Sequence, residues 1–285
     1  MMNTFNDKPH AGQDTEPAYV LGESEAETRR LIRQGRSYHA FTRRFLQEAG
    51  LSEGMRVLDV GSGAGDVALI AAELVGRSGS VMGVERNPGT LAVAERRALE
   101  AGLANVSFLE RDLGSPALGE GFDAVVGRFV LQHHPEPASA LRALAGRVRS
   151  GGIVAFQEMN LMDASLQLYP PTPLWERYWG WSRALFRFGG EAGMGYKLFK
   201  TFLAAGLPEP EMRLEAAVGG GSGWGGYEDA AEALRSLLPL MVKLGIATEE
   251  EVEVNTLAER LRLETVAADG VVKAPEVVGA WALRP

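Results

Sequence analysis

Four acids, a set of alternating glycines and a histidine pair are the residues of this 285-residue chain whose types and spacing could do chemistry. Asp59 stands two places before Gly61, which is followed by Gly63 and Gly65. Glycines in such a turn permit positive φ and let a ligand touch backbone that a Cβ would block. A turn that feeds a helix also points unpaired N–H groups at its occupant. A dinucleotide fingerprint, G-x-G-x-x-G, would set its third glycine one place later. The carboxylate before the turn suits a ligand with a positive end better than a pyrophosphate. Glu85 follows about twenty residues on, where a Rossmann-like site places the acid that accepts from a pair of ribose hydroxyls. His133 is a candidate general base, because an imidazole titrates near working pH. Glu158 is the second choice.

These residues need elements to hold them. Val57, Leu58 and Val60 form a short apolar run that reads as a buried strand, and 67–74 continues in helix formers. Strand, glycine turn and helix open a nucleotide-binding α/β unit. Further strands are expected at 79–85, 105–110, 121–127 and 151–158, so Asp59 and Glu85 lie at strand ends, and Asp112 and the 128–134 loop just after strands. Asn87-Pro88 starts a helix with proline in its first turn. The alternation predicts a parallel, doubly wound sheet. Late strands at 211–218 and 276–283 complete it. The expected fold is α/β: a seven-stranded, mostly parallel doubly wound sheet with an antiparallel edge strand, an N-terminal helical lid and helical insertions after strands five and six.

The Asp59-x-Gly61-x-Gly63-x-Gly65 spacing resembles the first motif of class I S-adenosylmethionine-dependent methyltransferases. The loop Arg128-Phe129-Val130-Leu131-Gln132-His133-His134 is similar to the fourth motif of small-molecule members such as those of quinone biosynthesis. The resemblance covers 55–158. It implies S-adenosyl-L-methionine as cofactor and S-adenosyl-L-homocysteine as product. It also implies that Asp59, Gly61, Ser62, Gly63 and Gly65 take the amino acid end, Glu85 the ribose, and Asp112 with Leu113 the adenine, with Arg86 a further cofactor contact. Arg128 and Phe129 would lie alongside. A cap helix would add Tyr19, Gln34 or Tyr38. The function implied is methyl transfer to an oxygen, nitrogen or carbon of a small aromatic or apolar metabolite. The alternative is a methyltransferase-like protein that binds the cofactor for a non-methylating reaction or as a binding module.

Expected domains are a disordered tail at 1–17, a helical cap at 18–50 and the cofactor-binding core at 51–158. An aromatic substrate lid at 159–193 follows, then the rest of the core at 194–285 with a helical insertion at 224–266. In the lid, Tyr169, Trp175 and Trp179 are candidate substrate contacts, since aromatics offer rigid apolar surface. The glycine-rich stretch 219–226 lacks the G-K-[ST] ending of a phosphate loop and reads as a flexible connector.

Composition narrows the partners. A formal charge of −8 gives no basic footprint for nucleic acid, and an N-P-P-Y-type tetrapeptide is missing after strand four. No cysteine means no thiolate nucleophile or thiolate-bound zinc. The four histidines lack metal-ligand spacing, so no metal is expected. No apolar run is long enough to span a bilayer, and the polar start does not resemble a signal peptide. A cytoplasmic monomer or homodimer without membrane contact is the expectation.

Overall fold

The computed structural model describes residues 25–115, 118–161 and 168–285. The expected tail, the start of the cap and Tyr19 lie outside them. The cap is one helix, α1 (Glu25–Glu48). Gly35, Tyr38, Thr42, Phe45 and Leu46 are buried along it, largely at three- and four-residue intervals that form one stripe.

The parallel units then follow in order: β1 (Arg56–Val60), α2 (Asp66–Val75), β2 (Ser80–Glu85), α3 (Pro88–Glu100), β3 (Val106–Glu110) and β4 (Phe122–Arg128). Asn87 caps α3 by accepting from Thr90 N–H at 3.0 Å, with Pro88 at the first helical position. A single 3₁₀ turn, Leu131–His133, leads into α4 (Pro137–Ala145) and β5 (Val148–Asn160). After these come β6 (Leu168–Tyr169), α5 (Pro173–Phe186), α6 (Met194–Ala205), β7 (Glu211–Glu215) and β8 (Val218–Gly219). The chain ends with α7 (Gly226–Lys243), α8 (Glu249–Val252), α9 (Leu257–Ala267), β9 (Val271–Lys273) and β10 (Glu276–Leu283).

Seven strands form the main sheet in the order β3-β2-β1-β4-β5-β10-β7. Pairing is parallel from β3 to β5, while β10 is antiparallel to both β5 and β7. The reversed strand therefore sits one place in, with β7 flanking it at the edge. Chain direction across the sheet switches at β1, between β2 and β4. Open α/β sheets hold ligands at such a point, beyond the strands' carboxyl ends.

The two expected insertions are one body. Trp175, Trp179, Tyr227, Leu234, Met241, Leu257 and Val272 share a single buried cluster, drawn from segments on both sides of α6 and β7. A small antiparallel sheet, β6-β9-β8, ties those segments together.

The glycine stretch corrects the sequence reading. The Trp224 ring lies across it, so a Cβ on Gly219 or Gly226 would come within 2.2 Å of ring atoms. A Cβ on Gly220 would meet the Gly270 carbonyl oxygen at 2.0 Å, and Tyr227 Oη donates to Gly220 O at 2.7 Å. Here the glycines make room for an indole and a crossing strand.

Candidate active site

At the switch point the backbone turns through Gly61, Gly63 and Gly65 with φ of 62°, 52° and 86°. All three lie in the left-handed region that side chains disfavour. Glu85, at the tip of β2, braces the turn: one carboxylate oxygen accepts from Gly63 N–H at 3.0 Å. The other accepts from Arg86 N–H at 2.9 Å and Asn87 N–H at 3.0 Å. A carboxylate has about four lone-pair sites, so capacity remains for hydroxyl donors. Next to β2, the β3 tip leads into Asp112, which is exposed, and Leu113, which is half-buried against the main core.

Asp59 lies beneath the turn, fully buried. Neither of its oxygens has a hydrogen-bond partner among the described residues. Burial holds its carboxyl well above the ordinary carboxylate range. The Arg128 guanidinium and the Ala68 N–H pull the other way without completing a hydrogen bond to it. Ser62 Oγ is likewise buried and unpartnered among the described residues. An unsatisfied buried carboxylate is costly, and a donor supplied by a ligand would relieve that cost. On this observation the residues present fit the charged amino end of S-adenosylmethionine.

After β4, Phe129 takes φ of 60°, rare for a non-glycine residue. Its N–H bonds Gln157 O at 2.8 Å, and its ring meets Tyr38 edge-on at 5.4 Å. Arg128 donates to Thr42 Oγ1 of α1 at 2.9 Å. Val130 then presses on the corner, 2.7 Å from where a Cβ on Gly61 would stand. The turn is held by Glu158, whose carboxylate accepts from Val130 N–H at 3.0 Å, Leu131 N–H at 2.7 Å and Gln132 N–H at 3.3 Å. The carboxylate expected as a second general base is thus engaged by three backbone amides. Burial pushes it up to about 8 even so.

His133 sits on that turn. Burial lowers its pKa to about 4, assisted by the nearby Arg30 and Arg86 charges. The ring is therefore neutral at ordinary pH. Its Nε2 lies 3.1 Å from Gln132 Nε2, and in this amide orientation the ring lone pair accepts from the amide. Turning that amide would free a ring nitrogen to take a proton.

Helix α1 closes over the corner. Leu31 reaches within 3.7 Å of a Cβ placed on Gly63, and Gly35 backs so closely onto Asp66 that a Cβ there would fall 2.1 Å from its carboxyl carbon. Asp66 is fixed by Arg97 at 2.7 Å. Gln34 is half-buried and Tyr38 buried; burial pushes the Tyr38 phenol up to about 12. The other side of α1 is latched to α7, where Ser37 Oγ donates to Asp229 at 2.7 Å and Arg33 lies 3.8 Å from the same carboxylate. Leu31, Gly35, Asp66, Arg97 and Asp229 escape the sequence reading. Gly35 alone leaves a trace there, because glycine inside a helix costs about 1 kcal/mol relative to alanine and so signals a close approach.

The aromatic candidates divide. Trp175 is 1% exposed and donates its indole N–H to Thr265 Oγ1 at 2.8 Å. Tyr169 is 80% exposed on the small sheet, paired with Val271. Of the two residues expected to contact substrate, Trp175 is packed inside the insertion and Tyr169 faces outward. Trp179 is buried, stacked on Trp175 at 5.9 Å and edge-on to Tyr178 at 4.8 Å. Its indole N–H has no acceptor among the described residues.

Among the described residues no cluster of acids and histidines could hold a metal ion, and no helix is long and apolar enough to cross a membrane.

A family model described as a methyltransferase domain matches residues 51–180. Aklanonic acid methyltransferase DauC from Streptomyces sp. (strain C5) is 36% identical over 124 residues, which cover 42% of this chain and 56% of that protein. A ubiquinone biosynthesis O-methyltransferase from Paracidovorax citrulli is 39% identical over 113 residues, covering 38% and 45%. The chain thus spans about half the length of these relatives. In fold it is similar to the YcgJ protein of Bacillus subtilis, with a TM-score of 0.55 at 16% identity over 87% of this chain and 99% of that one. Residues 51–180, wound about a glycine corner at the sheet's switch point, are thus the part of the chain that matches a methyltransferase domain.

Proposed function

We propose that the protein transfers a methyl group from S-adenosylmethionine to a small aromatic or apolar metabolite. The observation that carries this reading is the buried Asp59 carboxylate without a partner, directly under a turn braced by Glu85. Asp59 would answer the cofactor's ammonium group, and the amides of the 61–65 turn would face its carboxylate. The spare lone pairs of Glu85 would accept from the ribose hydroxyls. Asp112 would accept from the adenine amino group, with Leu113 against the ring. Arg86, Arg128, Phe129, Gln34 and Tyr38 would line the remaining surface. When bound, the cofactor supplies a methyl group made electrophilic by its sulfonium.

The chain's own work is orientation and exclusion of water. Leu31 and Val130 close over the corner, so a nucleoside enters by displacing α1. Glu158 fixes the turn that carries His133. A neutral His133 would take the proton of an oxygen or nitrogen nucleophile once the Gln132 amide turns away. Trp179 would offer its free indole N–H to a polar atom of the acceptor.

Titration calorimetry with S-adenosylmethionine tests the reading. Asp59→Asn is expected to bind at least about tenfold more weakly with an unchanged circular dichroism spectrum, as suits loss of a charged partner. Equal affinity removes Asp59 from the site. Incubation with a panel of small phenols and other aromatic acceptors should yield S-adenosylhomocysteine together with a methylated product. Tight binding with no transfer to any acceptor would favour a non-methylating role.

A further inference from the structure

The turn that carries His133 holds a second polar side chain with an unmet group. Gln132 is 5% exposed, and both of its backbone groups are taken. Its N–H donates to Glu158 at 3.3 Å, and its carbonyl accepts from Glu191 N–H at 2.8 Å. The side chain therefore leaves a backbone fixed from two sides. Its Nε2 lies 3.1 Å from His133 Nε2. Its Oε1 is buried and has no hydrogen-bond partner among the described residues. A buried acceptor left unmet is costly, and a ligand that donates to it relieves the cost. The place is the junction of the glycine corner with the aromatic insertion. Val130, two residues earlier, presses on Gly61. On the other side, a Cβ on Gly190 would stand 3.1 Å from Phe186 Cδ1, 3.3 Å from Gln132 O and 3.4 Å from His133 Nδ1. The cofactor corner and the connector after α5 thus meet at this one turn.

We infer that Gln132 reads the acceptor's reacting atom, and that the group it selects is an O–H or an N–H. This rests on the proposed function and narrows it. An amide oxygen accepts and cannot donate, so it favours a hydroxyl or an N–H over an ether or a carbonyl, which bring no hydrogen. A carbon nucleophile gives it nothing to hold. The same contact turns a covered imidazole into a base. In the resting arrangement the amide N–H covers the His133 Nε2 lone pair. An acceptor that donates to Gln132 Oε1 draws the amide toward itself and off the ring. The O–H or N–H bond then breaks with its electron pair kept on the acceptor atom, and the proton forms a new bond to His133 Nε2. The pair left on the acceptor atom is the one that takes the methyl group. A molecule with no hydrogen to give leaves the amide in place and the ring covered.

Binding of phenol and of its methyl ether, anisole, to the chain loaded with S-adenosylhomocysteine tests the inference. The readouts are calorimetry and the Gln132 side-chain amide signals in heteronuclear NMR. The two probes share a ring and differ in the hydrogen they can give. Phenol is expected to bind at least about tenfold more tightly than anisole and to shift the Gln132 amide signals, as suits one buried hydrogen bond met or unmet. In Gln132→Met, which keeps the length and removes both polar atoms, the two should bind alike, with circular dichroism and S-adenosylhomocysteine affinity unchanged. Gln132→Glu keeps accepting oxygens and should retain the preference, so it carries the test if the methionine variant does not fold. Equal binding of the two probes to the loaded wild-type chain, or none, overturns the inference and leaves the proposed function standing. A preference that survives in Gln132→Met, or is lost in a folded Gln132→Glu, overturns it equally. A chain that takes up no S-adenosylhomocysteine overturns the proposed function, and this inference falls with it.

Discussion

The glycine corner and the aromatic insertion are both rich in unusual residues, but they spend them differently. At the corner, polar groups are buried without being satisfied: Asp59 and Ser62 have no partners among the described residues, and Phe129 holds a strained φ. In the insertion, the polar groups that could be expected to meet a ligand are largely taken. Trp175 donates to Thr265, Glu264 accepts from Thr172 Oγ1 and Leu174 N–H, and Tyr227 donates to Gly220. Strain and unmet hydrogen bonds cluster where a protein does chemistry, whereas satisfied networks mark packing. Aromatic density by itself does not distinguish the two.

Substitutions can sharpen or break this contrast. Trp175→Ala should have the largest effect, destabilising the fold by about 3–5 kcal/mol, as for other buried aromatic truncations. Turnover by the folded fraction should not change, and a selective loss of turnover at unchanged cofactor affinity would return Trp175 to the substrate. Glu85→Ala should do the reverse, weakening cofactor binding by about 1–3 kcal/mol through unmet buried donors. Its chemical melting midpoint should move little by comparison.

Glu158 gives a subtler signature. Burial raises its folded-state pKa to about 8 from the ordinary 4.5, so the folded state binds more protons across that interval. Stability from this source is complete below about 4.5 and is lost as pH rises through about 8, with a slope of at most about 1.4 kcal/mol per pH unit. Denaturant titrations should show wild-type stability falling relative to Glu158→Gln over this window. Parallel pH profiles would mean the carboxylate is not buried as described. Tyr169→Ala should have the smallest effect, within about 0.5 kcal/mol in stability, as expected for an exposed surface position. Turnover should be unaffected, and a marked loss of it would place Tyr169 against the substrate after all.

Local pattern made the main sheet legible. The apolar runs at 57–60, 81–84 and 276–283 became strands close to their expected limits, and the Asn87-Pro88 start of α3 held because its cap is made by residues adjacent in sequence. What depended on distant partners was not legible. The 219–226 stretch reads as flexible by composition, since nothing nearby in sequence shows Gly270 crossing it. Trp175 looks like a pocket wall until residues from α7 and α9 fold over it. Glu158 resembles a proton acceptor at a strand end, and only the return of the 130–132 backbone shows what its oxygens are for. At the corner, the order of Asp59, the glycines and Glu85 along the chain already placed them together. The covering contact of Leu31 and Gly35 came from a helix with no motif of its own.

That helix has a kinetic consequence. Because α1 leans on Asp66 at one side and is pinned to Asp229 at the other, the proposed function would couple the two reactants. If the first to bind tilts the rod away from its seat, the second would meet a protein in which that work is already done. By reciprocity, each reactant should tighten the hold on the other by the same factor.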